Sequence, residues 1–487
     1  MDYAFMAPLM FATLIVFMLL GYPVAFALAA NGLLFGIIGI QLDLLKPELL
    51  QAIPDRIFGI IRNDTLLAIP FFTFMGLVLE RSGMAEELLE TVGQLFGRVR
   101  GGIAYAVILV GALLAATTGV VAASVIAMGL ISLPIMLRYG YSKRLSSGVI
   151  AASGTLAQII PPSLVLIIMA DQLGVSVGDM YSAALIPGLC LTSLYLLYVL
   201  GVSLVQPSAV PALPPGTHPA LGAVMLRRVT TAIIPPVVLI FLVLGTIFLG
   251  IATPTEGGAM GAVGALGLSL IKRKFNRELL TQALEQTARL STFVMFILIG
   301  STVFSLVFRA LNGDLWVESL LATLPGGATG FLIAVNVLVF ALAFFLDFFE
   351  ITFILVPLLA PIAYKLGSDL VWFGVLLSVN MQTSFMHPPF GFALFYLRSV
   401  APPSVRTTDI YWGAVPFVGL QIIMVALILI FPNLATRSAS DPLSEQVEDS
   451  QLLNVVPEKN TSEDSSKTPD EVDPAIRFLE ELANPKP

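Results

Sequence analysis

The chain has 487 residues, of which 57% are hydrophobic and only 12% charged, with a formal net charge of −7. Soluble domains carry about 25% charged residues, so this composition, with a mean hydropathy of +0.92, excludes an ordinary soluble protein and calls for a polytopic helical membrane protein. One cysteine, Cys190, excludes an internal disulfide.

The amino-terminal MDYAFMAPLM has neither a basic n-region nor a small-residue cleavage site, so no secretory signal is expected. Apolar runs of about 20 residues are long enough to span hydrocarbon. In the first half they predict crossings over 4–20, 23–40, 65–80, 145–170 and 180–205. The stretch 102–137 is too long for one crossing and is interrupted by AATTG, which predicts a re-entrant hairpin. The interval 206–228 is polar with five prolines and reads as a linker. The second half repeats the set at 230–249, 254–271, 290–311, 369–397 and 411–432, with a hairpin at 328–363. Residues 433–487 carry 12 acidic and 5 basic side chains, which accounts for the whole net charge. Ser/Pro-rich and poor in apolar residues, this tail is expected to be disordered, with at most a short helix at AIRFLEEL.

The two halves match. Pro134, Gly140, Pro161 and Pro162 fall on Pro361, Gly367, Pro388 and Pro389, each 227 positions later. The expected domains are therefore a first repeat (1–205), the linker (206–228), a second repeat (229–432) and the acidic tail. Five crossings is an odd number, so the second repeat must enter the membrane from the opposite side. An outside amino terminus places 15 basic residues in the cytoplasm and 5 outside, as the positive-inside rule demands. The predicted fold is all-α, with two inverted repeats of about five transmembrane helices, each holding a re-entrant hairpin and a helix broken at Pro-Pro.

A double proline inside a membrane helix removes amide donors and clashes with the preceding turn. Such a break survives only inside protein or against a water-filled cavity, and paired breaks in inverted halves mark a midplane site. Unwound carbonyls there can ligate sodium, and half-helix amino termini can face an anion. Around Pro161 and Pro162 stand Ser153, Gly154, Thr155 and Ser163. Around Pro388 and Pro389 stand Asn380, Gln382, Thr383, Ser384, His387 and Gly391. The first hairpin turns at Thr117, Thr118 and Gly119, followed by Ser124; the second carries Asp347 and Glu350 three residues apart on one helical face. An acid at membrane depth costs about 2.5–3.5 kcal/mol on insertion scales. These two could bind a cation, carry a proton or cap the hairpin. Glu256, after Thr253-Pro-Thr, is read as a third buried acid, with a structural role.

Several long motifs carry a family resemblance: SSGVIAASGTLAQIIPPS, LLAIPFFTFMGLVLERSGMAEELLETVGQLFGRVRGG, and FLDFFEITFILVPLLAPIAYKLGSDLVWFGVLLSVNMQTSFMHPPFGFALFYLR. Over roughly residues 5–432 the chain resembles the large membrane subunit, DctM-like, of the tripartite ATP-independent periplasmic (TRAP) transporters. Its first hairpin tip, TTGVVAAS, departs from the family's Ser-Gly-Ser pattern. The resemblance implies an elevator-type importer in the bacterial inner membrane. Such an importer is driven by sodium, joined to a small four-helix membrane subunit and fed by a periplasmic substrate-binding protein. It also implies an organic acid or acidic amino acid as substrate. Sodium and substrate would lie at Thr117 to Gly119, Ser124, Ser153 to Thr155, Pro161 to Ser163, Asp347, Asn380, Gln382, Thr383 and Pro388 to Gly391. No cofactor beyond the coupling sodium is expected, and no nucleic-acid partner.

The rival reading is a stand-alone sodium-coupled symporter of the divalent-anion class, which needs no binding protein. An intramembrane enzyme is disfavoured: two histidines, His218 and His387, no HExxH pair and one cysteine leave metal or thiol catalysis without its parts, and no P-loop is present.

Overall fold

The computed structural model describes residues 5–436, apart from 98, 119–120, 215–222, 323–324 and 390. The described residues are helices joined by short turns. The first half runs α1 (Met6–Leu19), α2 (Val24–Gln41), α3 (Glu48–Gln51), α4 (Ile53–Ile61), α5 (Ala68–Arg81), α6 (Met84–Phe96), the hairpin pair α7 (Gly102–Thr118) and α8 (Val121–Arg138), then α9 (Lys143–Thr155), α10 (Leu164–Leu173) and α11 (Val177–Val205). The second half runs α12 (Ala223–Phe248), α13 (Pro254–Ile271), α14 (Arg277–Ala310), α15 (Gly313–Ala322), the hairpin pair α16 (Gly327–Leu342) and α17 (Phe348–Lys365), then α18 (Leu370–Met381), α19 (Phe392–Val400) and α20 (Thr407–Ile430).

Seven described helices are individually long and apolar enough to cross a membrane. By contrast, α9 and α10 have 13 and 10 residues, and α18 and α19 have 12 and 9. Each is too short to span about 30 Å alone at 1.5 Å per residue. Only joined across its break does either pair have the length of a crossing. Both ends of α17 lie 227 residues beyond those of α8.

Packing exchanges partners between the halves. The α2 helix lies on α14 while α13 lies on α5, α8 on α19 while α17 lies on α10, and α9 on α20 while α18 lies on α11. Each of these contacts has its mate with the repeats swapped, as two related halves packed face to face require. Small residues make the closest crossings possible, which is how helices associate where no hydrophobic force separates them from lipid. A Cβ on Gly32 of α2 would sit 2.9 Å from the Phe304 backbone nitrogen of α14. One on Gly148 of α9 would meet the Gly413 carbonyl of α20.

Three boundaries differ from the hydropathy reading. The α14 helix starts at Arg277, because RELLTQALEQTARL is rich in good helix formers yet too polar to register as a span. Its first-half counterpart bends by 49° instead, between 48–61 and 64–81. There the Asn63 side chain accepts from Thr65 N and caps the new turn. The α12 helix begins at Ala223, inside the expected linker. Glu256 is exposed rather than buried: it closes a capping box with Thr253 behind Pro254, where helix geometry places an acid on free N–H groups. His218 and the acidic tail from residue 437 lie outside the described residues.

Gly148→Leu should destabilise the purified protein by at least about 1–3 kcal/mol, since neither backbone can yield. Gly201→Leu, with no atom within 4 Å of its built Cβ, should leave melting in detergent unchanged. Equal melting of the two variants would refute the α9–α20 crossing.

Candidate functional site at two paired helix breaks

After α9 the chain makes a single 3-10 turn (Leu156–Gln158), reaches the Pro161–Pro162 peptide, which is cis, and restarts at α10 behind an extended Ser163. After α18 it makes a 3-10 turn (Gln382–Phe385), reaches a cis Pro388–Pro389 and restarts at α19 behind Gly391. The two breaks touch. Gln382 Nε2 donates to Thr155 Oγ1 at 3.2 Å, joining two side chains separated by 227 positions. Residues equivalent by sequence are thus in contact, and both are fully buried.

The freed backbone groups find partners locally. Ser163 Oγ donates to the Gln158 carbonyl at 2.5 Å, and the Tyr181 hydroxyl reaches the Ser163 carbonyl at 3.4 Å. Thr155 Oγ1 donates to Ala152 O, Ser153 Oγ to Val149 O and Thr383 Oγ1 to Asn380 O. Gly391 N donates to His387 O at 2.6 Å, and a Cβ on Gly391 would come 2.6 Å from the Phe385 carbonyl, so only glycine fits that turn.

The hairpins clasp the breaks at matching places. Val125 of α8 packs on Gly154, while Thr352 of α17, 227 residues after Val125, reaches the Met381 sulfur at 3.4 Å. Gly111 of α7 lies against Ser153, and on the other side Asn336 of α16 accepts twice from Asn380 Nδ2, at 2.8 and 2.9 Å. His387 is stacked on Phe344 with centroids 4.1 Å apart and meets Phe340 edge-on at 4.5 Å, so the turn after α16 rests on the second break.

Among the described residues, several buried polar atoms here have no hydrogen-bond partner: both amide atoms of Gln158, Gln382 Oε1, Ser384 Oγ and both ring nitrogens of His387. The carbonyl of Ala343 lies near His387 but outside hydrogen-bond geometry. An unpaired buried polar group costs about 1–3 kcal/mol, so these side chains offer hydrogen-bonding capacity that a polar ligand would use.

Among the residues singled out from sequence, the structure gathers Ser153, Gly154, Thr155, Pro161, Pro162 and Ser163 with Asn380, Gln382, Thr383, Ser384, His387, Pro388, Pro389 and Gly391. Ser124 is buried on α8. The side chains of Thr117 and Thr118, together with Gly119, lie outside the described ones. Asp347 and Glu350 form a reciprocal capping box at the start of α17: Glu350 N donates to Asp347 Oδ1 at 2.8 Å, and Asp347 N to Glu350 Oε2 at 3.0 Å. Of the three roles open from sequence, capping is the one their hydrogen bonds display. Sequence reading passed over Gln158 and Asn336. Both stand as lone polar residues in apolar surroundings, Asn336 in FLIAVNVLVFAL, and that signal could have found them.

A polytopic helical protein whose halves each interrupt a crossing at a shared buried polar junction has the architecture of a membrane transporter. The family model described as "Tripartite ATP-independent periplasmic transporter, DctM component" matches residues 11–434, and the chain belongs to that family. It is a transporter subunit, not an enzyme. The C4-dicarboxylate TRAP transporter large permease protein DctM of Pseudomonas aeruginosa is 30% identical over 391 residues, covering 80% of this chain and 88% of its own. The ectoine TRAP transporter large permease protein TeaC of Halomonas elongata is 29% identical, covering 88% and 98%. Among solved structures, the Alcanivorax borkumensis YdaH transporter superposes with a TM-score of 0.55 at 16% identity, covering 79% of this chain and 89% of that one. That likeness concerns the fold alone.

Gln158→Leu separates a site from a core. Removing an unpaired amide that is 1% exposed should raise or preserve thermal stability, by up to about 1–3 kcal/mol. Transport should fall at least about tenfold, roughly 1.4 kcal/mol. Full transport by the variant would remove Gln158 from the site.

Proposed function

We propose that the protein is the large permease of a tripartite importer of organic acids in the bacterial inner membrane, driven by a sodium gradient. A small four-helix membrane subunit completes the permease, and a periplasmic binding protein delivers the substrate. The observation that carries this reading is the pair of touching helix breaks lined by buried polar side chains. Two ligand chemistries fit them. Hydroxyl and amide oxygens such as Gln382 Oε1 and Ser384 Oγ suit a dehydrated sodium ion. The amino-terminal N–H groups of α10 and α19, with no partners inside their own helices, suit a carboxylate.

The relatives are named for C4-dicarboxylate and ectoine at nearly equal identity. The proposal therefore stops at the class of carboxylate-bearing solutes. Family membership supports the tripartite arrangement over a stand-alone symporter. Transport by an elevator movement, in which the hairpins and broken helices shift against a scaffold of α2, α5, α13 and α14, is the mechanism we favour. In that mechanism the hairpin contacts Val125–Gly154 and Asn336–Asn380 keep each clasp attached to its break while the unit moves.

Uptake of radiolabelled organic acids into proteoliposomes tests the proposal, with the chain reconstituted together with its small membrane partner. Uptake should require both an inward sodium gradient and the binding protein. Sodium-driven uptake without the binding protein would establish the stand-alone symporter instead. In the same assay Asn380→Ala and Thr155→Ala should weaken sodium-dependent uptake about tenfold or more, by the loss of roughly 1.4 kcal/mol, with normal assembly. Wild-type rates in both would refute the site.

A further inference from the structure

Away from the helix breaks, a cavity of about 250 Å³ lies at the base of the first hairpin. The basic residues Arg100, Arg138, Lys143 and Arg144 mark that base as its cytoplasmic end. The apolar walls are Leu89 of α6, Ile103 of α7, and Ile131 and Ile135 of α8, and the connector after α11 adds Leu213. That connector crosses the hairpin base as a strap. Ser142 N donates to Ala209 O at 2.9 Å, while Gly101 N donates to Val210 O and Leu213 N to Gly97 O, both at 3.0 Å. The chain entering the hairpin and the chain leaving it are thus held by one short segment.

Three polar groups line the cavity between these walls. Ser132 is 1% exposed, and among the described residues its Oγ and the buried Gln94 Oε1 have no hydrogen-bond partner. Ser146, Ser147, Ser153 and Ser378 each donate to the carbonyl four residues back, the usual habit of serine inside a helix. Ser132 does not. Glu90, one turn before Gln94 on α6, brings an exposed carboxylate to the same cavity. An amide oxygen and a carboxylate only accept, and a hydroxyl does either, so the ligand that complements all three is a donor. A primary ammonium presents three N–H groups. Pockets for drug-sized ligands run to about 300–1,000 Å³, so this one suits a small molecule.

The cavity also lies on a seam. The α6 helix leads from α5 to the hairpin and is tied to α13 by Lys272 Nζ on Glu87 Oε2 at 2.6 Å. Just before it, Arg81 of α5 donates to Gln282 of α14. One side of α6 is therefore fastened to the scaffold helices, while Gln94 and Glu90 share the cavity with Ser132 of the hairpin. A molecule bound there joins the two.

We propose that this cavity is a cytoplasmic regulatory site for a small ligand carrying a primary ammonium on a short apolar body, which bridges α6 to the hairpin and slows transport. Binding is independent of the transport reading above, whereas the effect on rate rests on it.

n-Pentylammonium should raise the melting temperature of the purified protein by about 2 °C. 1-Pentanol, which keeps the chain without the charge, and tetramethylammonium, which has no N–H donor, should not. Gln94→Leu and Ser132→Ala should abolish the shift and transport at the wild-type rate without ligand. An equal shift with 1-pentanol, or a shift that survives in both variants, would overturn the site. In proteoliposomes containing the whole complex, n-pentylammonium on the cytoplasmic side should slow wild-type uptake about fivefold and leave Ser132→Ala unaffected, a comparison in which any effect on the bilayer cancels. Stabilisation without slowing would overturn the regulatory role. Should the wild type show no uptake at all, the transport reading is what fails, and the melting shift still decides the site. A free amine and the ethanolamine headgroup of a phospholipid share this chemistry. Slower wild-type uptake in phosphatidylethanolamine vesicles than in phosphatidylcholine vesicles, lost in Ser132→Ala, identifies the headgroup as the source; equal rates identify the free amine.

Discussion

A backbone amide or carbonyl inside hydrocarbon must find a partner within the protein, because lipid offers none. The centre of this molecule is organised by that constraint. Each double proline takes amide donors away at the middle of a crossing, and the structure repairs the loss with protein groups: Ser163 on the Gln158 carbonyl, Tyr181 on the Ser163 carbonyl, Gly391 N on His387 O. Because both breaks need burial at once, they bury each other. The bond between Gln382 and Thr155 is the visible result, and the hairpins, the glycine crossings and the exchange of partners between halves all serve to keep that junction enclosed.

The junction is enclosed, but its side chains are not all paired with one another. The backbone is repaired, while side-chain atoms of Gln158, Gln382, Ser384 and His387 are left unpaired. A protein selected for stability alone would fill these positions with apolar side chains of similar size and gain free energy. The capping boxes show the opposite treatment. Thr253 with Glu256 and Asp347 with Glu350 satisfy each other's N-cap and N3 backbone donors, so these acids hold helix ends in place at the surface and at the hairpin turn.

The breaks were legible in sequence because proline acts through covalent geometry, which needs no partner to be read. The same holds for the 227-residue spacing and for the apolar lengths of the crossings. Less was legible at the water-facing helix ends. The first half bends at Asn63 where the second runs straight through 277–310, and hydropathy is blind to both. Glu256 was misplaced because the segment it opens is apolar on average, and the mean character of a window does not say which way one side chain points.

Polar residues scattered singly through apolar helices were the hardest to interpret. Asn336, Tyr195 and Gln421 are each ordinary in their own segments. What distinguishes them is the partner: Asn380 for the first, and for the other two each other, across α11 and α20. The sequence by itself determined that this chain spans a membrane, that it is two halves of one pattern, and where each half must break, because composition, length and proline stereochemistry are local properties. Only the tertiary structure decided which polar atoms meet across those breaks and which are left unpaired. Hydrogen bonding between residues 227 positions apart depends on how two helices cross, and a crossing is set by close-packed contacts that no single segment contains.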